Sequence, residues 1–254
     1  MAKAGYDIAL HHSKSQDAAE RTLAEVKALG VKAIVLQGDM GEVEVPQHLV
    51  DETVAQLGRL DVLVSNAGYT CYEGLLDITA ETMDGMYNVN FRGMILVASA
   101  AAKYMVKNKV KGSIIFNTSI RSFSPHPRDG VYGGLKAGMN RIIKSFAIDM
   151  GPYGIRVNGY SPGVTNVRVP EPEDEAKDPK YRNSYRFIPL RRNGYAADMG
   201  GPVVWLASED AAYVTGQVIC VDGGVSAMGI PESLMDMTDS YEIEDWLKVD
   251  QNSI

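Results

Sequence analysis

Tyr132 and Lys136 stand four residues apart in a stretch whose apolar spacing predicts a helix. At that separation two side chains share one helical face. An ammonium held near a phenol favours the phenolate and lowers a pKa that is ordinarily about 10. A tyrosine tuned in that way can give or take a proton during catalysis. About 0.7 such pairs arise by chance in a chain of this composition, so the neighbours carry the weight. Ser119 ends a predicted strand upstream of Tyr132, where its hydroxyl can polarise a carbonyl that Tyr132 protonates. Asn90 lies in Asn88-Val89-Asn90 on a long predicted helix, and Asn66-Ala67-Gly68, Ser161-Pro162-Gly163 and Val221-Asp222-Gly223-Gly224 each close a predicted strand. All of these fall at the carboxyl ends of strands or on adjoining helices. That is the crevice side, where open α/β sheets bind ligands.

The elements that must hold these residues alternate between short β-branched runs and longer helical stretches, a pattern of βαβ units and a parallel sheet. Strands are expected at Tyr6–His11, Val31–Leu36, Leu60–Val64, Ser113–Asn117, Ile155–Asn158 and Gln217–Val221. Helices are expected at Gln16–Leu29, Glu42–Leu57, Thr82–Lys107, from about Gly130 to Met150, and at Ala196–Ala207. The fold class is α/β, a single doubly wound domain over residues 1–228 followed by an acidic segment, 229–254. A polar excursion at 163–193 reads as a lid or substrate loop, since connections of that length are uncommon inside a compact domain.

Composition narrows the function classes. The 254 residues carry a formal charge of −7 and 45% hydrophobic content, which excludes wholesale disorder and argues against a nucleic-acid partner. Residues 231–254 hold seven acids against Lys248 alone, a net of −6, so the remainder sums to about −1. Within that segment Ile243, Trp246 and Leu247 share one face of a possible helix, expected to dock on the chain or on a second copy. Two cysteines, Cys71 and Cys220, exclude a disulfide scaffold. No apolar run reaches membrane-spanning length and no secretory leader is visible, so a cytoplasmic protein without membrane partners is expected. No Asp, Glu, His or Cys spacing proposes a metal site.

Taken together, the chain resembles the short-chain dehydrogenase/reductase family over essentially all of residues 1–228. The resemblance is carried by Asn66-Ala67-Gly68, Asn90, Ser119, Tyr132-x-x-x-Lys136, Pro162-Gly163 and Asp222-Gly223-Gly224 in the family's order and spacing. It implies a catalytic tetrad in which Tyr132 donates the proton and Ser119 orients the carbonyl. Lys136 would contact the nicotinamide ribose, and Asn90 would support a water relay to Lys136. It further implies cofactor contacts from Asp39 near the adenine, from Asn66, Ala67 and Gly68, and from Pro162, Gly163, Val164 and Thr165. The family's opening strand and its T-G-x-x-x-G-x-G turn are not found; Met1-Ala2-Lys3-Ala4-Gly5 looks like the end of the helix that follows that turn. Those glycines let a backbone approach a pyrophosphate. The lost strand would be central, so the expectation is a rearranged sheet, a tight homo-oligomer, or a chain begun at an internal methionine.

Smaller signals refine the expectation. His11-His12-Ser13-Lys14 ends the first visible strand, where NAD-preferring folds place an acid for the ribose 2′-hydroxyl. Lys14 could meet a 2′-phosphate there, which favours NADP(H) over NAD(H). Arg121, His126 and Arg128 lie between Ser119 and Tyr132, where a substrate would rest, and suggest a small polar molecule such as a sugar or polyol. The leading function is an oxidoreductase interconverting a carbonyl and an alcohol. The rivals are a lyase or isomerase using the same Ser-Tyr-Lys set without a dinucleotide, and a catalytically silent subunit.

Overall fold

Residues 1–166 and 188–227 are described by a computed structural model. Most of the expected lid and the acidic segment with Ile243, Trp246 and Leu247 lie outside those residues. Chain packing defines two units: Met1–Pro162 with Ala197–Val221, and Gly163–Ala196 with Asp222–Ile254.

In the first unit, the sequence order is β1 (Ile8–His12), α1 (Gln16–Lys27), β2 (Ala33–Gln37), α2 (Val45–Leu57) and β3 (Val62–Ser65). Next come α3 (Ala80–Tyr87), a π turn at Asn88–Gly93, α4 (Met94–Lys107), β4 (Ser113–Asn117), α5 (Gly130–Met150) and β5 (Arg156–Pro162). Every ladder is parallel. Ser113-Ile114-Ile115-Phe116 of β4 is buried throughout, as expected of a strand covered on both faces. Its side chains alternate: Ile114 and Phe116 enter a cluster with Met94, Met105, Ile143 and Val157, while Ile115 joins Tyr160, Val203 and Leu206 on the opposite face. The latter two come from α6 (Ala196–Ala207), so helices cover both faces of the sheet. The second unit contributes β6 (Thr165–Asn166) paired with β7 (Gly194–Tyr195), and β8 (Val218–Val221) returns the chain to the edge of β5 in the first.

The sheet of the first unit is interrupted. β1 pairs only with β2, and β3-β4-β5-β8 form a separate ladder. Among the described residues no ladder joins the two, so the sheet has a break between β1 and β3. The residues of β3 before Ser65 are half-buried, in contrast to β4, because one edge lacks a neighbour. Met1 packs among the apolar side chains around Ile115 and Tyr160, and Ala2–Ala4 form a single 3₁₀ turn closed by Gly5 at φ 85°.

The expected helix Thr82–Lys107 is corrected to three pieces. It starts earlier, because Thr79 forms a reciprocal cap with Thr82: the Thr79 hydroxyl accepts from the Thr82 N–H at 3.2 Å and the Thr82 hydroxyl accepts from the Thr79 N–H at 3.3 Å. It then widens at Asn88–Gly93, where a Cβ on Gly93 would lie 2.3 Å from the Met40 carbonyl oxygen. Periodicity does not reveal a π turn, since both flanks keep their apolar spacing. Such turns concentrate at functional sites.

Candidate active site

Asn90 sits on the π turn with its side chain fully buried. Its Oδ1 accepts from the Tyr69 N–H at 2.9 Å and its Nδ2 donates to the Tyr69 carbonyl at 2.6 Å. Both polar ends therefore bind the main chain of one residue, Tyr69, and the loop after β3 is pinned there. This close approach requires the glycine of Asn66-Ala67-Gly68, because a Cβ at Gly68 would stand 3.0 Å from Asn90 Oδ1. Asn66 is held in turn: its Oδ1 accepts from Asn117 Nδ2 at 2.7 Å and from the Tyr160 hydroxyl at 3.0 Å. Burial pushes the Tyr160 phenol up to about 12, so it stays a donor. Asn117 and Tyr160 were missed by sequence reasoning; the signal available was position, at or near the carboxyl ends of β4 and β5.

Lys136, one turn into α5 beyond Tyr132, is 2% exposed. Its ammonium donates to the Asn117 carbonyl at 2.7 Å and lies 4.0 Å from Met94 Sδ. Burial lowers its pKa from 10.5 to about 8. An ammonium has three donors, so capacity remains for a further oxygen. The Lys136 nitrogen is 5.7 Å from the centre of the Tyr132 ring.

Tyr132 lies near Ser119, whose hydroxyl favours the charged form of the phenol. Ser119 Oγ also accepts from the Arg121 N–H at 3.2 Å, which leaves its own proton free to point towards Tyr132 or a carbonyl. The expected lowering of the Tyr132 pKa by Lys136 is overturned. Burial is the largest influence and raises the phenol, as do Tyr72 and Asp129; the Ser119 hydroxyl and Arg121 lower it, and the net direction is upward. Lys136 is turned to Asn117 and is itself driven towards neutrality by burial, so its charge does not govern the phenol.

The three residues expected against the substrate have separate fates. Arg121 Nε lies 3.6 Å from Asp129 Oδ2. Arg128, at φ 66°, donates to Asp77 Oδ2 at 3.1 Å and to the Tyr72 carbonyl at 3.3 Å, fastening the loop after β3 to the loop before α5. His126 is exposed and meets Tyr72 edge-on at 6.1 Å between ring centres. Tyr72 thus borders Tyr132, a role that nothing in its sequence context indicated.

Asp39 is exposed at the end of β2; its Oδ1 accepts from the Gly41 N–H at 2.8 Å, and Arg92 donates to the Gly41 carbonyl. His12, at the end of β1, is 8% exposed with both ring nitrogens unpartnered. Pro162 ends β5 in the first unit. Gly163, Val164 and Thr165 belong to the second, where Thr165 Oγ1 donates to the Gly163 carbonyl at 3.1 Å and the Val164 carbonyl accepts from the Gly194 N–H at 2.9 Å. A Cβ on Gly163 would meet Asp222 Cα at 2.7 Å, which accounts for that glycine. The Asp222 carboxylate accepts from the Gly224 and Ser226 N–H groups and shapes the Asp222-Gly223-Gly224 turn. Among the described residues no group of three or more His, Cys, Asp or Glu could hold a metal ion.

The arrangement suits proton transfer to a carbonyl oxygen held by Ser119 and Tyr132, beside a lysine with donors to spare. Residues 1–226 match the family model described as enoyl-(acyl carrier protein) reductase. The chain is 35% identical over 224 residues to L-rhamnose 1-dehydrogenase (NAD(P)(+)) from Sphingomonas sp. (strain SKA58), covering 88% of each. It is 32% identical over 233 residues to a short-chain dehydrogenase/reductase from Pestalotiopsis microspora, covering 88% of this chain and 87% of that one. The crystal structure of acetoin dehydrogenase YohF from Salmonella typhimurium superposes with a TM-score of 0.80 at 30% identity, covering 90% of this chain and 89% of that one.

Proposed function

Because this chain belongs to the short-chain dehydrogenase/reductase family, we propose that Asn90, Ser119, Tyr132 and Lys136 carry its chemistry. The protein is an NAD(P)-dependent oxidoreductase that interconverts a carbonyl and an alcohol on a small molecule. When bound, the dinucleotide supplies or accepts the hydride. In the reductive direction the Ser119 O–H donates to the carbonyl oxygen, and the Tyr132 phenol, kept protonated by burial, releases its proton to the same atom. In the oxidative direction the phenolate removes that proton. Asn90 holds the main chain of Tyr69, and with it the loop that follows Asn66-Ala67-Gly68.

The residues suit a dinucleotide at its ribose. Lys136 has unspent donors, and Asn117 Oδ1 is buried without a partner within the same network. Lys136 would hold the nicotinamide ribose; Asp39, Asn66, Ala67, Gly68 and Pro162 complete the proposed contacts from the first unit. NADP(H) is preferred over NAD(H), because the end of β1 offers Lys14 and an unpartnered His12 to a 2′-phosphate and no acid to a 2′-hydroxyl. The substrate is a sugar, polyol or hydroxyketone. L-rhamnose 1-dehydrogenase and acetoin dehydrogenase among the relatives support that class. They also weigh against a dinucleotide-independent lyase or isomerase and against a silent subunit. A cytoplasmic homo-oligomer completes the proposal.

The observation that carries this reading is a half-buried phenol with the Ser119 hydroxyl near it, on the helix that also presents Lys136 5.7 Å from its ring. Tyr132→Phe is expected to lower kcat by about 10²–10⁴-fold while NADPH still raises the melting temperature saturably. Wild-type turnover in Tyr132→Phe, or no thermal shift with either dinucleotide at millimolar concentration, overturns the reading. A larger shift with NADH than with NADPH overturns the cofactor preference alone.

A further inference from the structure

We propose that the Arg121–Asp129 ion pair is a positioning device that holds the Ser119 turn against the first turn of α5, and so keeps the Ser119 hydroxyl near the Tyr132 phenol. The proposal rests on the site assignment above and adds Asp129 to it. Ser119 and Tyr132 belong to different elements, the end of β4 and the beginning of α5, separated by an exposed loop containing Phe123, Pro125, His126, Pro127 and Arg128. Something other than the loop must fix their register.

Asp129 is placed to do so. It is the residue before α5 and is 4% exposed, yet its carboxylate does not cap the helix. Oδ1 accepts from the His126 N–H at 3.2 Å, and Oδ2 is buried without a hydrogen bond, facing Arg121 Nε at 3.6 Å. Arg121 reaches back by its main chain, whose N–H donates to Ser119 Oγ. Its carbonyl lies so near α5 that a Cβ on Gly133 would stand 2.8 Å from it. Ser122 Oγ donates to the Ser119 carbonyl at 2.6 Å and accepts from Asn140 Nδ2 at 2.6 Å, two turns down the same helix. One residue therefore contacts the Ser119 hydroxyl and, through its guanidinium, the head of the helix bearing Tyr132.

The titratable and charged groups facing the phenol are Tyr72 from the loop after β3, Arg121 from the turn after β4, Asp129 before α5, and Lys136 within α5. Arg121 and Asp129 act on the phenol in opposite directions. Deleting both charges therefore removes two opposed influences together and leaves no buried charge unpaired, whereas Asp129→Asn alone would strand Arg121.

The test is a cycle read by tyrosinate absorbance, with the Tyr132→Phe counterpart of each protein subtracted so that only Tyr132 is followed. In the wild-type background Ser119→Ala removes the hydroxyl that favours the phenolate and is expected to raise the Tyr132 midpoint by about half a pH unit or more. In the Arg121→Met/Asp129→Asn background the same replacement is expected to move it by less than half as much, because the hydroxyl is already displaced. An equal shift in both backgrounds overturns the positioning role while leaving the site assignment intact. No shift in the wild-type background instead removes the Ser119–Tyr132 contact, and the site assignment falls with it.

Discussion

Lys136 is a buried cation held by the Asn117 carbonyl oxygen, an arrangement that destabilises the protein. Its pKa falls from 10.5 unfolded to about 8 folded, so the folded state binds fewer protons between those values. Stability therefore rises with pH across that window, and the whole penalty is in force below pH 8. Lys136→Met removes the penalty at the cost of an unpaired Asn117 carbonyl. It is expected to stabilise the fold by about 2–3 kcal/mol at pH 7, to gain little at pH 10.5, and to lose turnover. Denaturant midpoints at the two pH values test this; equal midpoints for variant and wild type at pH 7 would show that the ammonium is not desolvated. The spacing of Tyr132 and Lys136 was legible in the sequence. The direction of the phenol's shift was not, because burial is set by residues distant in the chain.

The π turn at Asn88–Gly93 shows how one element serves the site. It directs Asn90 inward to the Tyr69 peptide and lets Gly93 pass against the Met40 carbonyl. Gly93→Ala must displace a backbone atom and is expected to cost about 1–3 kcal/mol. Gly134→Ala, in α5 with nothing within 4 Å of the added carbon, is expected to be neutral or to stabilise by about 0.5–1 kcal/mol. Thermal melts of the two variants separate them, and similar melting temperatures would contradict the close approach. The sequence located this helical region and Asn90 within it, but hydrophobic period alone could not distinguish a helix that widens for one turn from one that does not.

Across the molecule, the broken sheet has a measurable consequence. A strand in a parallel ladder directs its N–H groups alternately to its two neighbours, so a strand with one neighbour leaves half of them outside the ladder. β1 and β3 each have one neighbour, whereas β4 lies between β3 and β5. Hydrogen exchange is expected to be slowest in β4 and faster at alternate amides of β1 and β3. Uniform protection across all three strands would mean that the break is closed in solution.

The order and type of most elements, the fold class and the carboxyl-end position of Asn66, Asn90, Ser119 and Tyr132 followed from sequence alone, since hydrophobic period and strand-end chemistry are local properties. Tertiary structure alone decided which groups these residues spend their hydrogen bonds on. Asn90 is committed to Tyr69, Lys136 to Asn117, Asn66 to Asn117 and Tyr160, and Arg121 and Arg128 to Asp129 and Asp77. Most of those partners are separated by tens of residues in the chain, and the energy of a buried polar group depends on which partner the fold brings to it.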